Sequence, residues 1–230
     1  MRKLPLNVSS FARIRLNNLI YVDKTRYILD MIDNTTFAFL SRPRRFGKSL
    51  TVSTLAALFE GKKELFKGLY IYDKWDFKKY PILWFDFSGI ANETPQLLKQ
   101  GLNRKLLEYA LEHNINLMEG EPKNKLADLI KALAKKYNQP VVLLIDEYDK
   151  PILDHLGQSD KHFQIALQNR DILRSFFGIL KQGDLQTCIK FVFVTGISTF
   201  SKVSIFSEWN QLTDISLKKN FATFLGYTQE

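Results

Sequence analysis

The sequence predicts an α/β fold of three layers, with a mainly parallel five-stranded sheet between layers of helices. Three observations predict it. Short aliphatic runs of strand length alternate with longer amphipathic stretches, as a parallel sheet with crossover helices requires. One such run, Thr36 to Ser41, leads into Gly47-Lys48-Ser49 and then into a helical stretch. Another, Pro140 to Ile145, is aliphatic almost throughout, as expected of a strand covered on both faces, and ends in Asp146-Glu147.

The elements follow in order. Thr36 to Ser41 (TFAFLS) is the first strand. Ser49 to Glu60 then reads as an amphipathic helix, because Leu50, Thr54, Ala57 and Leu58 recur at helical spacing. Pro81 to Phe87 is the second strand; helices from Thr94 to Glu112 and from Asn124 to Tyr137 come next, with Gly120 and Pro122 breaking the chain between them. Pro140 to Ile145 is the third strand. A helix from about Ile165 to Gln182 and a Gly183-Asp184 turn lead into the fourth, Lys190 to Thr195. A polar, Ser-rich stretch separates it from the fifth, Leu212 to Leu217, and the expected strand order is 5-1-4-3-2. Residues 1–34 read as an N-terminal extension packed on the domain formed by residues 35–230. In it, Tyr21-Val22-Asp23-Lys24-Thr25 precedes a short helix with apolar Tyr27, Ile28, Met31 and Ile32.

Composition narrows the function classes. With 45% hydrophobic residues in a chain of 230, a genuine core is affordable and disorder as the main state is excluded. Cys188 is the single cysteine, and the first residues lack the apolar stretch of a signal peptide, so a cytoplasmic, reducing location is expected. No run approaches the roughly 20 apolar residues of a membrane span, so no membrane partner is expected. A net charge of +9 suits an acidic partner: nucleotide, nucleic acid or another protein. Much of that charge has a blander reading. Arg42, Arg44, Arg45 and Lys48 sit together, while Lys123, Lys125, Lys131, Lys135 and Lys136 fall on one solvated helix. His113, His155 and His162 have no metal-ligand spacing with Cys188 or one another, so no structural zinc is expected.

Arg42 to Ser49 (RPRRFGKS) carries the second half of the pattern G-x-x-x-x-G-K-[ST], in which backbone N–H groups at a helix N-terminus cradle phosphates. A lone Gly-Lys-Ser arises often by chance; a strand before it and a helix after it supply the context the motif requires. The predicted fold is therefore a P-loop NTPase, with ATP and Mg2+ as its ligands. Arg44, Arg45, Phe46, Gly47, Lys48, Ser49 and Leu50 are the expected nucleotide-binding residues. Lys48 would reach the β- and γ-phosphates and Ser49 the metal. Arg42 stands where the first Gly belongs, and Pro43 removes one N–H donor, so this loop must enter differently from the usual one.

Asp146 and Glu147 end their strand at the carboxyl edge, where open parallel sheets bind ligands. Asp146 is expected to hold the magnesium, and Glu147 to orient or deprotonate the attacking water. The bland reading is a strand end that caps the next helix. Thr195, at the end of the fourth strand, is the side chain expected to sense the γ-phosphate, against a plain Gly-Ser turn. Asp149 and Lys150 read as a local ion pair or cap.

At these residues the sequence resembles the bacterial and archaeal AAA-ATPase-like family, P-loop proteins often joined to a C-terminal nuclease-like domain of the PD-(D/E)XK type. The resemblance rests on Tyr21 to Thr25, on Phe39 to Ser49, on Leu143 to Asp149, and on Thr195 to Ser198 with Phe200 to Ser207. It implies that Arg42 is a family variation, gives Asp146, Glu147 and Thr195 the roles stated above, and places Asp23 and Lys24 near the base. Two departures matter. Thr199 stands where the family usually has an Arg, which implies weakened turnover, and the helical lid and nuclease-like domain have no counterpart in these residues, so nuclease activity is not expected. The expected function is an ATPase or ATP-dependent switch. Two other readings are a nucleotide-binding interaction module with little hydrolysis and a nucleic-acid-associated domain; a small-molecule kinase lacks an acceptor-site motif.

Overall fold

The computed structural model describes residues 2–198, 205–206 and 211–226. In chain order the elements are helices α1 (Phe11–Leu16) and α2 (Thr25–Asn34), strand β1 (Phe37–Ser41), helix α3 (Lys48–Phe59), β2 (Ile82–Asp86), α4 (Pro95–Glu112) and α5 (Pro122–Tyr137). They continue through β3 (Val141–Asp146), α6 (Lys150–Leu153), α7 (Asp160–Gly178), α8 (Gly183–Gln186), β4 (Ile189–Gly196) and β5 (Thr213–Asp214). All strand pairs are parallel, and the order across the sheet is β2-β3-β4-β1-β5, which is 5-1-4-3-2 counted from the opposite edge.

Local chemistry sets the helix starts. The hydroxyls of Thr94 and Ser159 accept from the N–H groups of Leu97 and His162, capping α4 and α7, and Pro95 and Pro122 occupy first-turn positions where a missing N–H costs nothing. Asn138, with φ 47°, ends α5 in the left-handed conformation that Asn tolerates.

Strand alternation divides the core in two. Val141, Leu143 and Ile145 of β3, with Val192 and Val194 of β4, pack under α4, α5 and α7. Val142 and Leu144, with Phe191 and Phe193, face α3 and the N-terminal helices. Phe191 is fully buried in that second half, its ring 5.7 Å from that of Phe59. The sheet is thus covered on both faces, which is why its central strands read as unbroken aliphatic runs.

Several elements differ from expectation, among them α6, α7, which runs from Asp160 to Gly178, and α8, which replaces the turn expected at Gly183-Asp184. Helix α3 is buried on nearly every side rather than amphipathic, because α1 covers what would otherwise be its solvent face; the N–H of Phe11 donates to Ser53 Oγ at 2.9 Å across that contact. Helix α1 itself has no counterpart in the periodicity, since only Phe11 and Ile14 of its six residues are buried. Strand β5 keeps two residues, Thr213 and Asp214, paired with Ala38 and Phe39. No helix among the described residues is long and apolar enough to cross a membrane.

Candidate functional site at the carboxyl edge of the sheet

Strand register brings the motif residues to one rim. Asp86, Asp146, Thr195 and Leu40 stand side by side on β2, β3, β4 and β1. One residue after Leu40, Ser41 leaves β1 for the loop that ends at the N-terminus of α3. By the alternation of their strands, Asp146 follows Val142 and Leu144, and Thr195 follows Phe191 and Phe193, onto the face that α3 covers. Lys48 and Ser49 therefore meet Asp146 although 97 residues separate Ser49 from it in sequence.

The loop is built from unusual backbone. Arg45 and Gly47 have φ of 67° and 88°, and residues in the left-handed conformation next to ordinary ones turn successive N–H groups toward one side, the geometry of an anion-binding nest. Gly47 supplies its positive φ without strain and is the residue before α3. Arg44, Arg45 and Phe46 are exposed around the loop, and Leu50 lies in the first turn of α3. Lys48 is buried, and its ammonium donates to the carbonyls of Arg42 (2.9 Å) and Pro43 (3.0 Å). Burial pushes its pKa below the usual lysine value, against the pull of Asp146, Asp149 and Glu147, whose carboxylates favour its charge.

Asp146 is almost wholly buried, and burial pushes its pKa up to about 6. The hydroxyl of Ser49 opposes that shift, while the neighbouring charges of Asp86 and Glu147 add to it. Glu147 donates its N–H to Asp146 Oδ1 at 3.0 Å and has φ 51°. A left-handed glutamate costs on the order of 1–2 kcal/mol, strain of the kind stored at functional sites. Thr195 is fully buried, its hydroxyl donating to the carbonyl of Leu40 at 2.7 Å.

Magnesium fits this donor set. A buried carboxylate whose charge is poorly solvated, faced by a serine hydroxyl, is the pair of oxygen ligands such a cation takes. Among the described residues no cluster of three or more acidic, His or Cys side chains could hold a metal by itself. Mg2+ needs no such cage, because it is usually held by one or two protein ligands together with substrate phosphates and water.

Asp149 stands at the N-cap position of α6, as one of its two sequence readings has it, but its side chain makes no cap bond. It does not pair with Lys150, whose ammonium bonds Asp154 instead; the two side chains leave α6 in different directions. The Asp149 carboxylate is buried and accepts the N–H groups of Ile197 (2.9 Å) and Ser198 (2.6 Å), pinning the turn that follows Thr195. Tyr148, also fully buried, donates its hydroxyl to the carbonyl of Ser198. Gly196 is obligatory between them: a Cβ there would lie 2.6 Å from Asp149 Oδ1 and 2.6 Å from the Tyr148 ring. Gly196→Ala is accordingly expected to destabilise the fold by about 1–3 kcal/mol, read as a lower midpoint in thermal unfolding. An unchanged midpoint would show that the turn yields easily. Thr199 and the Phe200 to Ser204 part of the quoted run, with Ser207, lie outside the described residues.

Beside the loop a cavity of about 490 Å³ opens between the N-terminal segment and residues 224–226. Ile20, Tyr21, Val22, Phe46, Leu50 and Phe224 make its lining mostly apolar, and Gly47 and Thr51 connect it to the phosphate loop. Lys24 lines it too. Asp23 does not; its carboxylate accepts from the N–H and hydroxyl of Thr25 and from the N–H of Tyr70, so it fixes the start of α2. The histidines stand elsewhere, His155 and His162 stacked on each other and His113 bonded to Tyr137.

The uncharacterized protein in the vnfD 5' region of Azotobacter chroococcum mcd 1 is similar to this chain, 39% identical over 230 residues. The match takes in 99% of this chain and 43% of that protein, so the chain spans less than half the length of the relative. No solved structure matches significantly. A model of the family described as Predicted AAA-ATPase matches residues 5–206, and the chain belongs to that family.

Proposed function

We propose that this domain binds ATP with Mg2+ at the carboxyl edge of its sheet and hydrolyses the β–γ phosphoanhydride, as an ATPase or an ATP-dependent switch. The observation that carries the reading is the placement of Lys48 and Ser49, at the N-terminus of α3, against Asp146 and Glu147 at the end of β3. Backbone N–H groups of Arg45 to Ser49 and the helix N-terminus suit the phosphates, and Lys48 exchanges two neutral carbonyls for phosphate oxygens. Ser49 and Asp146 would hold the magnesium, which neutralises phosphate charge and orients the γ-phosphoryl group when bound. The adjacent cavity accepts a purine through apolar contact, and its volume is within the usual range for small-ligand sites.

Glu147 is the base of this proposal: it follows Asp146 directly at the strand end, and its backbone is held there in a strained conformation. It orients water or takes its proton as the oxygen attacks the γ-phosphorus and ADP leaves. Thr195 stands on the same rung as Asp146; to touch a γ-phosphate its hydroxyl must turn from the carbonyl of Leu40. Glu147→Gln is expected to lower steady-state phosphate release by about 100-fold or more while leaving ATP affinity within a few-fold. Hydrolysis unaffected by that change would move the base elsewhere. Absence of hydrolysis in the unaltered chain, with ATP binding intact, would favour the interaction-module reading instead.

A further inference from the structure

We propose that Arg42 is a positioning residue for the nucleoside: it ties the phosphate loop to residues 216–226 and so builds the far wall of the apolar cavity. The inference rests on the nucleotide reading above. It begins from an oddity of sequence, an arginine where the phosphate-loop pattern has glycine.

The side chain at that position makes three hydrogen bonds to backbone carbonyls. One guanidinium nitrogen of Arg42 donates to the carbonyls of Ser41 (2.9 Å) and Ser216 (2.7 Å), and the other terminal nitrogen reaches the carbonyl of Phe221 at 3.4 Å. Its backbone N–H donates to Gly196 O at 3.2 Å, joining the same point to the end of β4. Planar, multi-donor arginine can span several carbonyls at once, and glycine can make none of the side-chain bonds.

The segment so held has little secondary structure of its own. After β5 it contains one short 3-10 turn, Lys219–Phe221, so its place depends on ties to neighbours. Ser216 Oγ accepts the N–H of Ser41 at 2.9 Å. From the other side, the Tyr27 hydroxyl meets Thr223 Oγ1 at 2.6 Å and Asn220 donates to Asp30 at 3.1 Å, both from α2. Phe221 and Phe224 are buried between these ties. Phe224, Leu225 and Gly226 then line the cavity opposite Val22 and Leu50, and Gly226 seats against Phe46 closely enough that a Cβ would come within 3.2 Å of its ring. Arg42 thus acts on the wall that a base and ribose would touch, whereas Gly47, Lys48 and Ser49 serve the phosphates.

That division makes the prediction sharp. Arg42→Gly restores the standard loop pattern, yet magnesium–ATP should bind about ten-fold more weakly while magnesium–tripolyphosphate, which has no nucleoside, binds within about two-fold of the unaltered chain. Arg42→Lys, which keeps one cationic donor, should recover part of the loss. Tyr27→Phe combined with Asn220→Ala loosens the same segment from the α2 side without touching the loop, leaving the bond from Lys24 Nζ to the Thr223 carbonyl in place there, and should weaken ATP by about three-fold with tripolyphosphate again unmoved. Competition titrations on variants checked by thermal unfolding read all of these. Equal weakening of ATP and tripolyphosphate by Arg42→Gly, or ATP affinity unchanged in it, overturns the proposal; should Arg42→Gly not fold, unchanged ATP affinity in the double variant overturns it alone. Failure of the unaltered chain to bind either ligand would instead remove the nucleotide reading, and this inference with it.

Discussion

Lys48→Ala is expected to lower the affinity for magnesium–ATP by about 10- to 150-fold without unfolding the protein. A charged hydrogen bond is worth roughly 1.5–3 kcal/mol, and the lysine is the one side-chain cation of the loop that lies buried at its centre. Its ammonium is served by two neutral carbonyls, Arg42 and Pro43, and burial depresses its pKa. Its charge is therefore poorly solvated until polyphosphate arrives, so alanine removes a ligand contact and relieves a buried charge at once. Thermal unfolding should shift by no more than a few degrees. Retention of full affinity, measured with a fluorescent ATP analogue, would place the phosphates elsewhere.

Asp146→Asn should separate stability from function even more clearly. Burial raises the folded-state pKa of Asp146 from 3.8 to about 6, so the folded chain holds that proton more tightly than the unfolded chain. For this group the contribution to stability is greatest below the unfolded pKa, declines as pH rises from about 4 to about 6, and stays low above that. At neutral pH the cost is on the order of 2–3 kcal/mol in the metal-free protein. Asparagine keeps the shape and an acceptor for the Glu147 N–H but carries no charge, so its metal-free form should melt about 4–10 °C higher than the unaltered chain at pH 7. The same change should abolish the magnesium dependence of ATP binding. Unaltered protein should lose the disadvantage when magnesium and nucleotide are added. A melting point lowered by Asp146→Asn would mean that the carboxylate is held by partners strong enough to outweigh its burial.

The sheet and the main helices were legible because apolar period and turn residues state them locally. TFAFLS and PVVLLI can hardly be anything but covered strands, and Gly47-Lys48-Ser49 between a strand and a helix has few other uses. Elements with little local signal were not legible. Helix α1, which places two residues in the core, was missed, and the fifth strand read over Leu212 to Leu217 was legible in position but not in length, since only Thr213 and Asp214 pair. Long-range polar roles were also silent. Asp149 takes its meaning from N–H groups 48 and 49 residues onward, and Arg42 from carbonyls 174 and 179 residues away. Beside them, sequence proximity suggested the Asp149–Lys150 pair that geometry replaces. The Arg at position 42 and its Pro43 neighbour did signal a loop that enters differently, but not that the difference reaches across the cavity.

The most direct test is isothermal titration of ATP into the unaltered chain, once with excess Mg2+ and once with EDTA. With metal, a single saturable site is expected; without it, affinity should fall by about ten-fold or more, because the Ser49–Asp146 pair then meets the phosphates with no cation between them. Binding that is equally tight in EDTA, or no saturation at millimolar ATP with magnesium present, would contradict a nucleotide site shared by the phosphate loop and the acidic strand end.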